Sequence, residues 1–339
     1  MLIALGFKSI EGPWGGGIKF AQSLASRLDL EGIARTNSLS RNVDLILLTD
    51  PRRGGLSANY NDADIFRSLL FSNPNALVVH RVNECDERKG TNYVNRDLRR
   101  AALISDHSVF ISSWLRDLHL GHGWPCESVS VILNGADKAV FYPDINNVWN
   151  PATPMRLVTH HWGTGWLKGF DIYTQIDRLL DDASWRDKIM FTYIGRLPES
   201  VHFNNISVIE PLSGLHLSDE LRKHHVYLTA SQNEPAGMHH VEGAMCGLPL
   251  MYRESGALPE YCCEFGLSIA PDNLAARLNE MREKYFFFKN LMPRYPNSSE
   301  QMACQYVDLF KRLTRDREIL LKHRRRTRML RWLWQRYAN

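Results

Sequence analysis

The chain has 339 residues, a net charge of +4, 44% hydrophobic and 23% charged residues. These proportions exclude an intrinsically disordered or fibrous chain, and the length allows two domains. No apolar run approaches the ~20 residues that span a bilayer.

The opening Met1-Leu2-Ile3-Ala4-Leu5-Gly6-Phe7 lacks the basic start of a signal peptide and reads as a first strand. Apolar runs then alternate with amphipathic segments, the pattern of an α/β chain with parallel sheets. After the run at 2–6 comes Glu11-Gly12-Pro13-Trp14-Gly15-Gly16-Gly17, whose glycines permit close backbone approach to a ligand. It lacks the lysine and hydroxyl residue of a P-loop, and alone such a loop is more often a turn. A helical pattern through Ile18, Ala21, Leu24, Ala25 and Leu28 follows. Further strands are expected at 44–48, 76–82, 108–111 and 128–133. Asp62-Ala63-Asp64 precedes a helical pattern, and capping explains it better than a metal site. His80, Arg81 and Asn83 lie where a strand ends, the place where open α/β sheets bind ligands. A structural cluster paired with Asp86 and Glu87 is the competing reading. Ser112 is an expected helix cap and Asn134-Gly135 a tight turn. Linker composition over 142–151 closes a first domain, 1–150.

A second α/β set, with strands expected at 155–159, 189–194, 206–209, 226–230 and 248–252, makes a domain 151–298. After its first strand stands His160-His161-Trp162-Gly163-Thr164-Gly165-Trp166-Leu167-Lys168-Gly169, where an ammonium can neutralise phosphate. After its fourth comes Asn233-Glu234-Pro235-Ala236-Gly237-Met238-His239-His240-Val241-Glu242, leading to Cys246-Gly247-Leu248-Pro249. Glu234 is expected on a strand-to-helix loop, and Glu242 about two turns into the helix. Unpaired N–H groups at a helix start, flanked by two carboxylates, suit a nucleotide-sugar: amides for the diphosphate, carboxylates for sugar and ribose hydroxyls.

This block resembles the E-x7-E signature of glycosyltransferase family 4. Ala236 stands in place of the usual aromatic residue and Gly243 in place of the usual alanine. Ile132, Asn134, Gly135, Asp137, Phe141 and Pro143 match a second motif of that family. The resemblance covers roughly residues 10 to 265 at motif level. It implies the GT-B fold: two doubly wound Rossmann-like domains facing a cleft, with a last helix returning to the first. It also implies retaining, metal-independent transfer from a nucleotide-sugar, without a cofactor, to a glycan or lipid-linked acceptor. Glu234 and Lys168 would then be catalytic. His161, Gly237, Met238, Glu242, Gly16 and Gly17 would bind the donor, and His80, Arg81 and Asn83 the acceptor or the sugar. The family's arginine near Lys168 is absent, and His161 is the candidate to replace it. A sugar-nucleotide epimerase, a phosphorylase and a non-catalytic sugar-nucleotide or membrane-binding module remain as alternatives.

Six scattered cysteines without a Cys-x-x-Cys pair suggest reduced thiols and a cytoplasmic location. The segment 299–339 reads as helical. From Lys311 onward it carries eleven Lys/Arg against two acids, so it needs its own explanation. Leu330, Leu333, Trp334 and Tyr337 fall on one helical face, which suits the surface of an anionic membrane through residues 322–339. Packing on the first domain is the rival reading. A nucleic-acid partner is not expected, because the rest of the chain shows no matching basic groove.

Overall fold

The computed structural model describes residues 1–8, 16–52, 58–324 and 326–337. Among them the strands form two six-stranded, all-parallel sheets, each within its own compact unit. The first unit comprises Met1–Leu133 with Ser299–Asn339, and the second Asn134–Ser298. The stretch 134–150, placed by composition with the first domain, thus lies in the second unit. Residues 299–339, set apart in the sequence reading, belong to the first. The part of the glycine loop at 11–15 lies outside the described residues.

The first sheet contains β1 (Leu2–Ala4), β2 (Ala34–Thr36), β3 (Leu45–Leu48), β4 (Leu77–Val82), β5 (His107–Phe110) and β6 (Val129–Val131). Its order is β2-β1-β3-β4-β5-β6, with a change of winding direction between β1 and β3. Because side chains alternate along a strand, Ile3, Leu45, Leu47, Leu77 and Val79 meet one layer. That layer is Phe20, Leu24 and Leu28 of the helix Gly16–Leu30, with Met302, Tyr306 and Phe310 of the helix Ser299–Arg315. Ala4, Ile46, Leu48 and Val78 face the other way, onto Phe66, Leu69, Ala101 and Trp332. Burial on both faces is what a parallel sheet requires.

The last helix, Arg326–Tyr337, is therefore part of the core of the first unit. Trp332 stacks on Phe66 at 4.2 Å between ring centroids and donates from Nε1 to Asp62 Oδ2 at 3.1 Å. Asp62 also accepts from Arg100 Nε at 2.9 Å and Arg336 Nη1 at 3.4 Å. Arg324 binds Asp106 and the Ala76 carbonyl, and Arg328 the Ala102 and Ser105 carbonyls. The helix packs through Trp332 and not through the apolar face read from the sequence, where Leu330, Trp334 and Tyr337 are 65%, 66% and 68% exposed. The structure corrects the reading of Asp62 as a cap. The cap is Asn61, in a reciprocal box with Asp64.

The second sheet contains β7 (Met155–His161), β8 (Ile189–Gly195), β9 (Ser207–Ile209), β10 (Val226–Thr229), β11 (Leu250–Arg253) and β12 (Gly266–Ile269). Its order, β12-β11-β10-β7-β8-β9, is the doubly wound Rossmann order, with the switch between β7 and β10. A core around Leu157, Phe170, Tyr173, Phe191, Leu228 and Met281 fills this unit. Two strands, β2 and β12, escaped the sequence reading. Both are short edge strands; β2 is largely exposed, so neither forms an apolar run.

Replacing Trp332 with alanine removes a fully buried indole and leaves Asp62 one donor short. We expect a loss of about 3–5 kcal/mol in urea unfolding. A loss below about 1 kcal/mol would show that the helix is not part of the core.

Candidate functional site

Open α/β sheets bind ligands beyond the carboxyl ends of strands at the switch point. In the second unit that point joins the ends of β7 and β10, which pair in parallel as Val226 with Leu157 and Tyr227 with Val158. His160 and His161 are the last residues of β7. The short helix after β7 ends at Lys168, and Gly169 follows with φ +104. A Cβ on Gly169 would lie 2.5 Å from that of Ala230, so only glycine lets the Lys168 turn rest on the end of β10.

The loop after β10 is pinned from both sides. Gln232 N donates to the Leu167 carbonyl at 2.8 Å, and Ala257 N donates to the Glu234 carbonyl at 2.8 Å. Asn233 N donates to Ser255 Oγ at 2.8 Å, while Asn233 itself holds a left-handed φ of +49. Non-glycine residues adopt that conformation when their surroundings enforce it. Glu234, buried at 6% exposure, thereby comes to 3.8 Å from Lys168 Nζ through Oε2. Gly237 turns the chain with φ +62, and the helix His239–Met245 begins after Met238. Glu242 lies in the first turn of that helix, one turn earlier than expected, because the helix starts only after the Gly237 turn.

Glu242 is buried and engaged. His160 Nε2 and Glu242 Oε2 are 2.9 Å apart. A carboxylate only accepts, so Nε2 carries the hydrogen. His160 Nδ1 lies 3.0 Å from the Tyr227 hydroxyl, and that hydroxyl accepts from His160 N at 3.0 Å. His161 Nε2 is 2.8 Å from the Tyr173 hydroxyl, and His239 Nε2 is 2.8 Å from Thr229 Oγ1. His240 is fully buried, its ring edge-to-face with Tyr261. Among the described residues neither of its ring nitrogens has a hydrogen-bond partner. The structure thus brings Lys168, His161, Glu234, Gly237 and Glu242 into one group. It adds His239 and His240, which the sequence reading passed over because nothing in their spacing marks them. Arg196, exposed just beyond the Gly195–His161 pairing of β8 with β7, was missed for the same reason.

In the first unit, Gly16 and Gly17 open the helix that follows β1, at the side of that sheet's switch. Nothing crowds Gly17, so sterics alone do not require glycine there. His80 and Arg81 lie within β4 rather than beyond it. The His80 ring is enclosed and parallel to Trp124 at 5.8 Å. The Arg81 guanidinium sits 4.1 Å over the Phe20 ring. Asn83, just past the strand, is half-buried. Asp86 caps the following chain through Val94 N and Asn95 N.

No protein-family model matches the chain, and no curated protein matches it by sequence. Solved structures do. The Anabaena protein HepE, in complex with UDP-glucose, shares 14% identity over 92% of this chain and 99% of its own, with a TM-score of 0.66. A glycosyltransferase from Rickettsia africae matches at 13% identity, 92% and 98% coverage, and a TM-score of 0.60. Sucrose-phosphate synthase from Thermosynechococcus elongatus matches at 14% identity, 87% and 77% coverage, and a TM-score of 0.59. The chain has the GT-B fold. At such identities the likeness reaches the fold alone. Among the described residues no helix is long and apolar enough to cross a membrane, and all six cysteines are free.

Burial holds several histidines neutral: His80 falls to about 3, and His107 and His240 to about 4. Unfolded histidine takes up its proton near 6.5, so between these values the unfolded chain binds more protons. Stability is then full above pH 6.5 and falls as the pH drops, by up to about 1.4 kcal/mol per histidine per pH unit. We expect the midpoint of urea unfolding to decrease steadily from pH 7 to pH 5. A flat profile would mean that these rings reach solvent.

Proposed function

We propose that the chain is a retaining glycosyltransferase resembling family 4, which moves a hexose from a nucleotide-sugar to a glycan or lipid-linked acceptor. The observation that carries this reading is the convergence of Lys168, Glu234, Gly237 and Glu242 at the switch point of the second sheet. The nucleotide-sugar is a co-substrate, and the reading includes no cofactor.

Lys168 balances the charge that develops on the departing diphosphate, with the ring of His161 beside it. The partly exposed turn at Gly237 and Met238 supplies backbone N–H groups to the same phosphates. Glu234 orients the sugar ring through its hydroxyls, and Glu242, steadied by His160, takes those of the ribose. Departure and attack on one face of the sugar preserve its configuration. On the first unit, Gly16 and Gly17 open the helix at that sheet's own switch. Asn83 contacts the acceptor, while the enclosed His80 and Arg81 brace its strand.

The pathway that fits best is surface-polysaccharide synthesis at the cytoplasmic face of a membrane. Leu330, Trp334 and Tyr337 project from one side of the last helix, with exposed Arg331 among them. Aromatic rings beside arginine suit the headgroup layer of an anionic bilayer. The opposite side of the helix is occupied by the core, so a single helix serves both purposes.

The deciding experiment screens UDP-, GDP-, ADP- and dTDP-sugars by thermal shift and slow hydrolysis, with Glu234→Ala alongside. One donor should stabilise and be hydrolysed, and the variant should turn over about 10²-fold or more slowly at an unchanged fold. Binding without turnover would make the chain a non-catalytic module, and unchanged turnover in the variant would remove Glu234 from the site. Separately, Leu330→Glu with Trp334→Glu should weaken flotation with phosphatidylglycerol vesicles without lowering Tm. Undiminished flotation would exclude this face.

A further inference from the structure

No step proposed above uses His239, yet it stands at the centre of the histidine group. Its ring centroid lies 4.7 Å from that of His161, 5.0 Å from His240 and 6.3 Å from His160. Thr229 Oγ1 holds its Nε2. Its Cε1–Nδ1 edge faces Gly237, where an added Cβ would lie 2.8 Å from Cε1, 3.0 Å from Nδ1 and 3.1 Å from Glu234 Cγ. The imidazole edge, the Glu234 stem and the Gly237 turn thus share one space, beside the Lys168–Glu234 pair. This is not the geometry of a metal centre: among the described residues no three His, Cys, Asp or Glu side chains converge as ligands.

We propose that His239 is a diphosphate-binding residue that enters the complex protonated, so that the sugar nucleotide is taken up together with a proton. The inference rests on the donor-site reading given above.

In the ligand-free site the ring is neutral. Burial holds it well below its ordinary value, and His161, His240, Lys168 and His160 act in the same direction. The groups around it can be named element by element. Strand β7 brings His160 and His161, and the turn after it brings Lys168. Strand β10 brings Tyr227 and Thr229, and the loop after it Glu234. Its own helix brings His240 and Glu242, the second already engaged by His160. A diphosphate placed at Lys168 adds negative charge to the space that the Gly237 turn shares with the His239 edge, and an opposite charge raises an imidazole. The ring then takes a proton from solvent. Nδ1–H donates to a phosphate oxygen while Nε2–H donates to Thr229, whose hydroxyl serves either role. Affinity is therefore highest at low pH and falls as the pH rises through the value His239 adopts in the complex.

The test is calorimetry at pH 7.0 with whichever of UDP-, GDP-, ADP- or dTDP-glucose binds in the thermal-shift screen. Their diphosphate diesters do not titrate near neutrality. The heat of binding is compared between buffers of low and high ionisation enthalpy, such as PIPES and Tris. We expect net proton uptake, and more of it when the measurement is repeated at pH 6.3 in PIPES and imidazole. In His239→Gln, whose amide keeps the Thr229 bond, uptake should fall close to zero, and affinity should drop more at pH 6.5 than at pH 8. Binding to the wild-type protein without proton uptake overturns the inference and leaves the donor site standing, and this result needs no variant to fold. Undiminished uptake in a folded His239→Gln also overturns it. Failure of every sugar nucleotide to bind removes the donor-site reading itself, and this inference with it.

Discussion

The arrangement of the second unit depends on one pairing, that of β7 with β10 in the middle of its sheet. These strands are neighbours in space but far apart in sequence, and the chain winds away from them in opposite directions. Their carboxyl ends therefore open onto a region that no crossover helix covers. Each residue of the candidate site is placed by that pairing or by a loop tied to it. His160 and His161 end one strand, and Thr229 ends the other. The Lys168 turn rests on Ala230. The Glu234 loop is stitched to Leu167 on one side and Ala257 on the other. A loop held at so many points can keep Asn233 in a conformation that side chains normally avoid.

The two units handle buried charge differently. In the first, Asp62 is enclosed completely, and burial pushes its carboxyl upward while Arg100, Arg336 and Trp332 pull it back. Such an arrangement is specific because an acid stripped of any one donor is costly. In the second, much of the polar content is imidazole, which can be buried neutral at modest cost. A neutral ring keeps its response to a charged ligand in reserve, whereas a paired guanidinium has already given it to its partner.

Much of this was legible in the sequence, for identifiable reasons. The central strands announce themselves as apolar runs because parallel strands are buried on both faces. The approach of Lys168 to Glu234 was legible because each stands just after a strand, and parallel strands bring such loops to one edge. The burial of Trp332 was not. Its partner Asp62 is 270 residues away, and counting apolar positions around the helix picks the side that solvent sees. Nor could spacing reveal His239, which earns its place only through what surrounds it. The edge strands β2 and β12 were invisible because an edge needs no apolar run.

Gly243 replaces an alanine expected from the resemblance, and in the sequence this looks like a neutral exchange. The structure gives it a cause: a Cβ at this position would lie 2.2 Å from Cδ2 of Tyr227. The Tyr227 ring occupies that space, and its hydroxyl serves His160, which in turn serves Glu242. The glycine, the tyrosine, the histidine and the glutamate are thus one heritable unit. Alanine cannot enter position 243 unless Tyr227 moves, and moving Tyr227 releases His160. A substitution at any one of these four positions is therefore constrained by the other three.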